Sequence, residues 1–108
     1  MFLRLFSFAQ TNPQPAALFA IGSLKLSDQI RWLDSKGLID PLDYVQRHLH
    51  GDWGNLNDAE RRANNGALQT NGVLSSRYQV TSRLALVVAT NEDRSITVIQ
   101  LPEESALF

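Results

Sequence analysis

From Gly72 to Leu101 the pattern of this chain changes to that of strands, in three runs separated by very short polar breaks. The runs are "VLSSRYQV" (73–80), "RLALVVAT" (83–90) and "SITVIQL" (95–101). They are rich in β-branched residues, which suit a pleated, half-buried surface. Thr81-Ser82 and "NEDR" (91–94) are the turns, and Pro102 closes the last run. Breaks this short join antiparallel neighbours. The middle run is apolar on both faces and is expected at the centre of the sheet.

Upstream, the signals are those of helix ends. Asp40-Pro41 is the clearest: an aspartate N-cap followed by proline at the first helical position, where its missing N–H costs nothing. Leu42, Val45 and Leu49 then fall at i, i+3 and i+7, the spacing of one buried face. An earlier helix is predicted after Ser27, with Ile30 and Leu33 inward, Lys36 in its last turn and Gly37 as the left-handed C-cap. A third starts near Asn57, with Glu60 completing a capping box. Ala59, Ala63, Gly66 and Ala67 form a small-residue stripe, and Asn64-Asn65-Gly66 predicts a weak helix broken at Gly66. "LFAIGSLKL" (18–26) reads as a strand bulged at Gly22. "QTNPQP" (10–15) breaks the chain, so residues 1–17 are read as an arm or an extra strand. The expectation is a single α+β domain over residues 1–108, its core in 18–104. It has an N-terminal strand, about three helices and then a three-stranded antiparallel meander, with the helices on one face.

Composition narrows the function classes. There is no cysteine, which excludes disulfides, thiolate metal sites and a cysteine nucleophile. The formal net charge is −1, so no uniformly basic nucleic-acid surface is expected. Arginine far outnumbers lysine among the bases, which leaves room for a local arginine patch. No run approaches the roughly 20 apolar residues of a membrane span. A soluble cytoplasmic protein is expected.

The densest polar stretch is "RHLHGDWGNLNDAE" (47–60). His48 and His50 lie two apart, about 200° around a helix, and cannot share a metal there. Only an extended 48–52 would aim His48, His50 and Asp52 the same way. No metal and no cofactor is therefore expected. An acid–base reading makes His48 a general base oriented by Asp52. The structural alternative places His48 at a helix C-terminus, folds Asp52 onto its own turn and makes Trp53 a buried anchor. In "NEDRS" (91–95), Asp93 belongs to a turn, and Arg94 is a candidate partner for Asp52 or for a ligand anion. Ser95 lacks the context of a nucleophile elbow. No phosphate loop, dinucleotide fingerprint or RNA-binding motif is present.

The motifs resemble a small bacterial family found on plasmids and other mobile elements, whose members carry labels such as plasmid-related protein. Its pattern is R-H-x-x-G-D-W-G, a helix asparagine, S-x-Y, then D-R-S-x-T-T-x-L-L-P-x-E-Y. Arg47, His48, Gly51, Asp52, Trp53 and Gly54 fit the first motif, Asn64 the helix asparagine, and Ser76 and Tyr78 the third. Asp93, Arg94, Ser95, Thr97, Leu101, Pro102 and Glu104 fit the last, and "FAIG" (19–22) is similar to the opening strand. Val98, Ser105 and Asn91 stand where the family has threonine, tyrosine and glutamate.

The resemblance implies one polar constellation of Arg47, His48, Asp52, Trp53, Asn64, Asp93, Arg94, Ser95 and Thr97, but names no reaction. The leading expectation is a binding or interaction domain of a mobile element, acting on a host or element defence or DNA-processing system. Its partner would be a protein, with a short nucleic-acid segment as the second class. The rivals are a small hydrolase, with His48 as base, Asp52 orienting it and Arg94 binding an anion, and a structural subunit. The shared-site expectation places His48 or Asp52 in hydrogen-bonding range of Asp93, Arg94, Ser95 or Thr97, with Asp52–Arg94 the favoured pair.

Overall fold

The computed structural model describes residues 16–104 and Phe108. The arm or extra strand expected over 1–17 thus lies, apart from Ala16 and Ala17, outside the described residues. The order of elements is β1 (Ser23–Leu26), α1 (Asp28–Ser35), α2 (Pro41–Leu49), α3 (Asp58–Thr70), β2 (Leu74–Thr81), β3 (Leu84–Thr90) and β4 (Ile96–Gln100). The fold is α+β.

The expected three-stranded antiparallel meander is present as β2, β3 and β4, but it forms part of a larger sheet. That sheet has four strands in the order β1-β4-β3-β2. The β2–β3 and β3–β4 pairs are antiparallel, but β1 lies parallel to β4, with Ser23 opposite Ile96 and Leu26 opposite Ile99. Short turns dictate the antiparallel pairs. The partner of β1 depends on where three intervening helices return the chain, which local patterning does not encode. β1 is also shorter than the run 18–26. Gly22 adopts φ +64, and a Cβ there would fall 2.2 Å from the Ser95 carbonyl, so residues up to Gly22 form an irregular strap instead of a bulged strand.

The helix ends follow their caps. Ser27 Oγ accepts from Ile30 N, and Asp40 Oδ1 accepts from Leu42 N. Asn57 and Glu60 exchange both capping-box bonds. Gly37, at φ +70, closes α1 with paired bonds from Gly37 N to Asp34 O and from Leu38 N to Leu33 O. α3 is not broken at Gly66; it runs on to a left-handed Asn71. Its asparagines do not compete with their own backbone because tertiary partners hold them. Asn64 bonds Ser75, and Asn65 Oδ1 accepts from Trp53 Nε1 at 3.1 Å.

One face of the sheet builds the main core. Tyr78, Leu86, Val88 and Ile99 pack against Ile30 of α1, Ile39 and Val45. A second cluster joins Trp53, Ala67 of α3 and Leu74. Leu42 does not join the buried face of α2 and is 59% exposed. That face is made by Pro41, Val45 and, unexpectedly, His48.

β2 is an edge strand, and an open edge is a template for unwanted pairing. Here it is covered. Arg77 N donates to Trp53 O, Asn55 N donates to Arg77 O, and Asn55 Oδ1 accepts from Gln79 N. The loop after α2 therefore acts as a short parallel companion to β2.

Candidate functional site

His48 sits where α2 crosses the sheet and is 0% exposed. Its Nδ1 is 2.6 Å from Ser76 Oγ, and its Nε2 is 3.0 Å from Thr90 Oγ1. Thr90 Oγ1 is in turn 2.7 Å from Thr97 Oγ1, which donates to Ile21 O at 2.8 Å. The carbonyl can only accept, and this fixes every proton in the line. Thr97 spends its hydrogen on Ile21, so Thr90 donates to Thr97. Thr90 must then accept from His48 Nε2–H. The neutral ring has its lone pair at Nδ1, and Ser76 donates to it. The result is a buried line of bonds linking α2, all three C-terminal strands and the strap.

The charge state agrees. Burial lowers the His48 pKa to about 4, with the Arg94 cation adding to the shift. The ring is walled by Phe19, edge-on at 5.1 Å, and Trp53 at 5.7 Å. Trp53 is 3% exposed and stacks on Phe19, as an anchor of the loop should.

Asp52 does not orient His48, and it does not pair with Arg94. Its carboxylate binds Arg47 Nε at 2.6 Å and caps Gly54 N at 3.1 Å. The Arg47 bond is the main cause holding the Asp52 carboxyl below its usual range, and it raises Arg47 in turn. Five residues of chain deliver Asp52 to Arg47, because the turn at Gly51 (φ +80) folds the loop back beside α2. Arg47 also lies over the Tyr78 ring, 4.5 Å from its centroid. Tyr78 donates to Asp52 O at 2.6 Å, and burial pushes its phenol up to about 12.

Arg94 is occupied as well. Its guanidinium donates to Gly72 O at 2.6 Å and to Asn91 O and Ala67 O at 2.9 Å. It takes up carbonyls at the C-terminal end of α3, where a cation is favoured. Asp93 turns to its own loop: it accepts from Ser95 N and Oγ, and these bonds lower its pKa.

The nine predicted residues thus divide into separate groups. Arg47 and Asp52 pair at the surface. His48 reaches Thr97 through the Thr90 hydroxyl, with Trp53 alongside. Arg94 bonds backbone carbonyls, Asp93 and Ser95 bond each other, and Asn64 binds Ser75. Among the described residues there is no group of three His, Cys, Asp or Glu side chains placed to hold a metal. An open groove beside α3, lined by Leu56, Glu60, Ala63, Asn64 and Ser75, includes neither His48, Asp52 nor Arg94.

No protein-family model matches the chain, and no curated protein or solved structure matches it.

Thr90, Asn55 and Phe19 carry much of this architecture and were missed in the sequence. Thr90 had a signal: it shares the parity of the inward Leu86 and Val88. A hydroxyl at that position must find a buried partner. Phe19 was marked only by the likeness of "FAIG" (19–22) to the opening strand, and Asn55 by nothing, since their roles come from chain segments brought together only by the fold.

Proposed function

We propose that this chain is a non-enzymatic binding domain of a bacterial mobile element, acting on a host or element protein in defence or DNA processing. The link to mobile elements rests on the motif resemblance alone. The binding class rests on one observation: His48 is sealed, neutral and bonded at both ring nitrogens. A general base must reach a substrate proton, and this ring reaches only its own hydroxyl partners. The motif residues hold the sheet, the loop and α3 together, and the surface is left to do the binding.

The experiment has two arms. Crosslinking at native expression level in a bacterium carrying the element, read by mass spectrometry, should yield one stoichiometric protein partner. A panel of ester, phosphodiester and glycoside substrates should show no turnover. Turnover lost in His48→Gln, with the mutant still folded, would replace this reading with the hydrolase.

A further inference from the structure

In the strap ahead of β1, residues 16–22, only Phe19 and Ile21 are part-buried and the rest are exposed. Among the described residues two hydrogen bonds hold its backbone. Leu18 N donates to Leu49 O at 2.9 Å, and Ile21 O accepts from Thr97 Oγ1 at 2.8 Å. Gly22, at φ +64, is the pivot where the strap meets β1. A segment with few buried contacts and few bonds opens at a lower free energy than the core.

The Phe19 ring fills the point where three side chains from separate segments meet. His48 stands edge-on at 5.1 Å, Trp53 stacks at 6.3 Å, and the Arg94 guanidinium lies 5.8 Å from the ring centroid. The ring also packs against the cluster of Trp53, Ala67 and Leu74. Rings and a cation placed in this way hold an aromatic guest by stacking and cation–π attraction. When the strap swings out, these groups line an aromatic slot. Beside the slot, the fully buried Thr97 then keeps a hydroxyl hydrogen without an acceptor, and Leu49 a carbonyl without its donor. A buried donor left unpaired is costly. The open state therefore favours a guest that brings a carbonyl.

We infer that the slot under the strap binds an extended peptide segment of a partner protein, with Phe19 as the intramolecular competitor that closes it. The guest gives an amide to Leu49 O, an aromatic side chain to His48, Trp53 and Arg94, and a carbonyl two residues later to Thr97. An aliphatic side chain at that later residue takes the place of Ile21 against the main core. An amide and a carbonyl three residues apart are main-chain chemistry, which selects a peptide over a nucleobase. Both ring nitrogens of His48 stay on Ser76 and Thr90 throughout. The inference rests on the binding-domain reading and names the site and ligand chemistry which that reading leaves open.

Hydrogen exchange of the unaltered chain tests the opening. The Leu18 amide should exchange about a hundredfold or more faster than the Val88 amide of the central strand. Equal rates would mean that the strap opens only with the whole fold, and would overturn the inference. The binding probe is the capped synthetic peptide AALFAIGS, the sequence of residues 16–23, beside a copy with alanine for its phenylalanine. The phenylalanine peptide should bind Phe19→Ala about tenfold or more tightly than it binds the wild type, whose own ring competes. Phe19→Leu, which keeps an apolar contact and drops the ring, should gain affinity in the same direction. The alanine peptide should bind neither variant. Equal binding of both peptides, or no gain over the wild type, would overturn the site. Toluene stabilising Phe19→Ala as well as the peptide does would reduce the slot to a plain cavity and overturn it too. In the cell, the partner crosslink should strengthen in Phe19→Ala. A crosslink unchanged in that variant would sink this site and leave the binding reading standing. Absence of any crosslinked partner, with the peptide binding as expected, would count against that reading and leave the site supported.

Discussion

Asn64 holds both backbone groups of Ser75: its Nδ2 donates to the carbonyl at 2.7 Å, and its Oδ1 accepts from the amide at 3.1 Å. A helix side chain thus completes the outer edge of β2 as a neighbouring strand would. Asn64 is 5% exposed, so these bonds have little competition from water. Asn64→Ala leaves two backbone groups unpaired, at about 1–3 kcal/mol for each that stays buried. Asn64→Asp keeps an acceptor for the amide and loses the donor, so the Ser75 carbonyl remains unpaired. Urea melts should place both variants well below the wild type. Hydrogen exchange at the Ser75 amide should rise sharply in Asn64→Ala. An unchanged melt would mean that water replaces the asparagine without penalty.

The buried imidazole makes stability depend on pH. His48 titrates near 4 in the folded chain, against 6.5 for the free side chain. The unfolded state therefore binds this proton at higher pH than the folded state does. Stability from this group is complete above about pH 6.5 and falls as pH drops towards 4. The loss is at most about 3 kcal/mol. Below pH 4 both states are protonated and the group contributes no further slope. The carboxyls of Asp52 and Asp93, held low by their bonds, start to contribute only near their own unfolded range. Urea melts at intervals from pH 7.5 to 4.5 should show the decline, and His48→Gln should flatten its upper part. Equal slopes in both proteins would remove His48 as the cause.

Two glycines separate packing from backbone propensity. Gly54 has φ +73, and a Cβ would lie 2.1 Å from Arg77 O and 2.6 Å from the Tyr78 ring. Gly66 is inside α3, and a Cβ there would meet nothing within 4 Å. Gly54→Ala should destabilise by several kcal/mol, through strain at positive φ and forced separation of the loop from β2. Gly66→Ala should stabilise by about 0.5–1 kcal/mol. Thermal melts moving in opposite directions are the expected result. A stabilised Gly54→Ala would mean that the loop does not cover the edge.

These contrasts show what could be read along the chain. Ser27, Asp40-Pro41, Asn57–Glu60 and Gly37 bound their helices because a cap is a bond between residues a few positions apart. The strand parity of 73–101 was legible for the same reason. What escaped were relations across the fold. β1 chose β4 in parallel, which no local pattern encodes. Leu42 fits a buried helical face, yet it is exposed while its neighbour Pro41 in the same first turn is buried. The motif residues are expected to share one polar site, whereas the structure divides them among separate partners. A histidine, a carboxylate and an arginine close in pattern look like a site. Only their partners reveal that Ser76, Arg47 and three carbonyls already satisfy them. Proton direction was the least legible feature, since it depends on one carbonyl, Ile21, that the sequence cannot point to.

The expected Asp52–Arg94 pair is replaced by Asp52–Arg47, and the two arginines should behave differently on removal. The Arg47 and Asp52 side chains are 45% and 49% exposed, so water screens their attraction. A double-mutant cycle on Arg47→Gln and Asp52→Asn should give a coupling within about 0.2–1 kcal/mol, falling in high salt. Arg94 has no such alternative. Its guanidinium ends α3 by bonding Ala67 and Gly72 and ties that end to the 91–94 turn through Asn91. Arg94→Gln can replace at most part of this fork, so it should cost more than Arg47→Gln. Arg94→Lys should rescue little, because a single ammonium cannot span the same carbonyls in plane. Coupling between Asp52 and Arg94 should be additive within about 0.3–0.5 kcal/mol, as for separated sites. A larger coupling there, or full rescue by lysine, would contradict the assignment of Arg94 as the clamp between α3 and the β3–β4 turn.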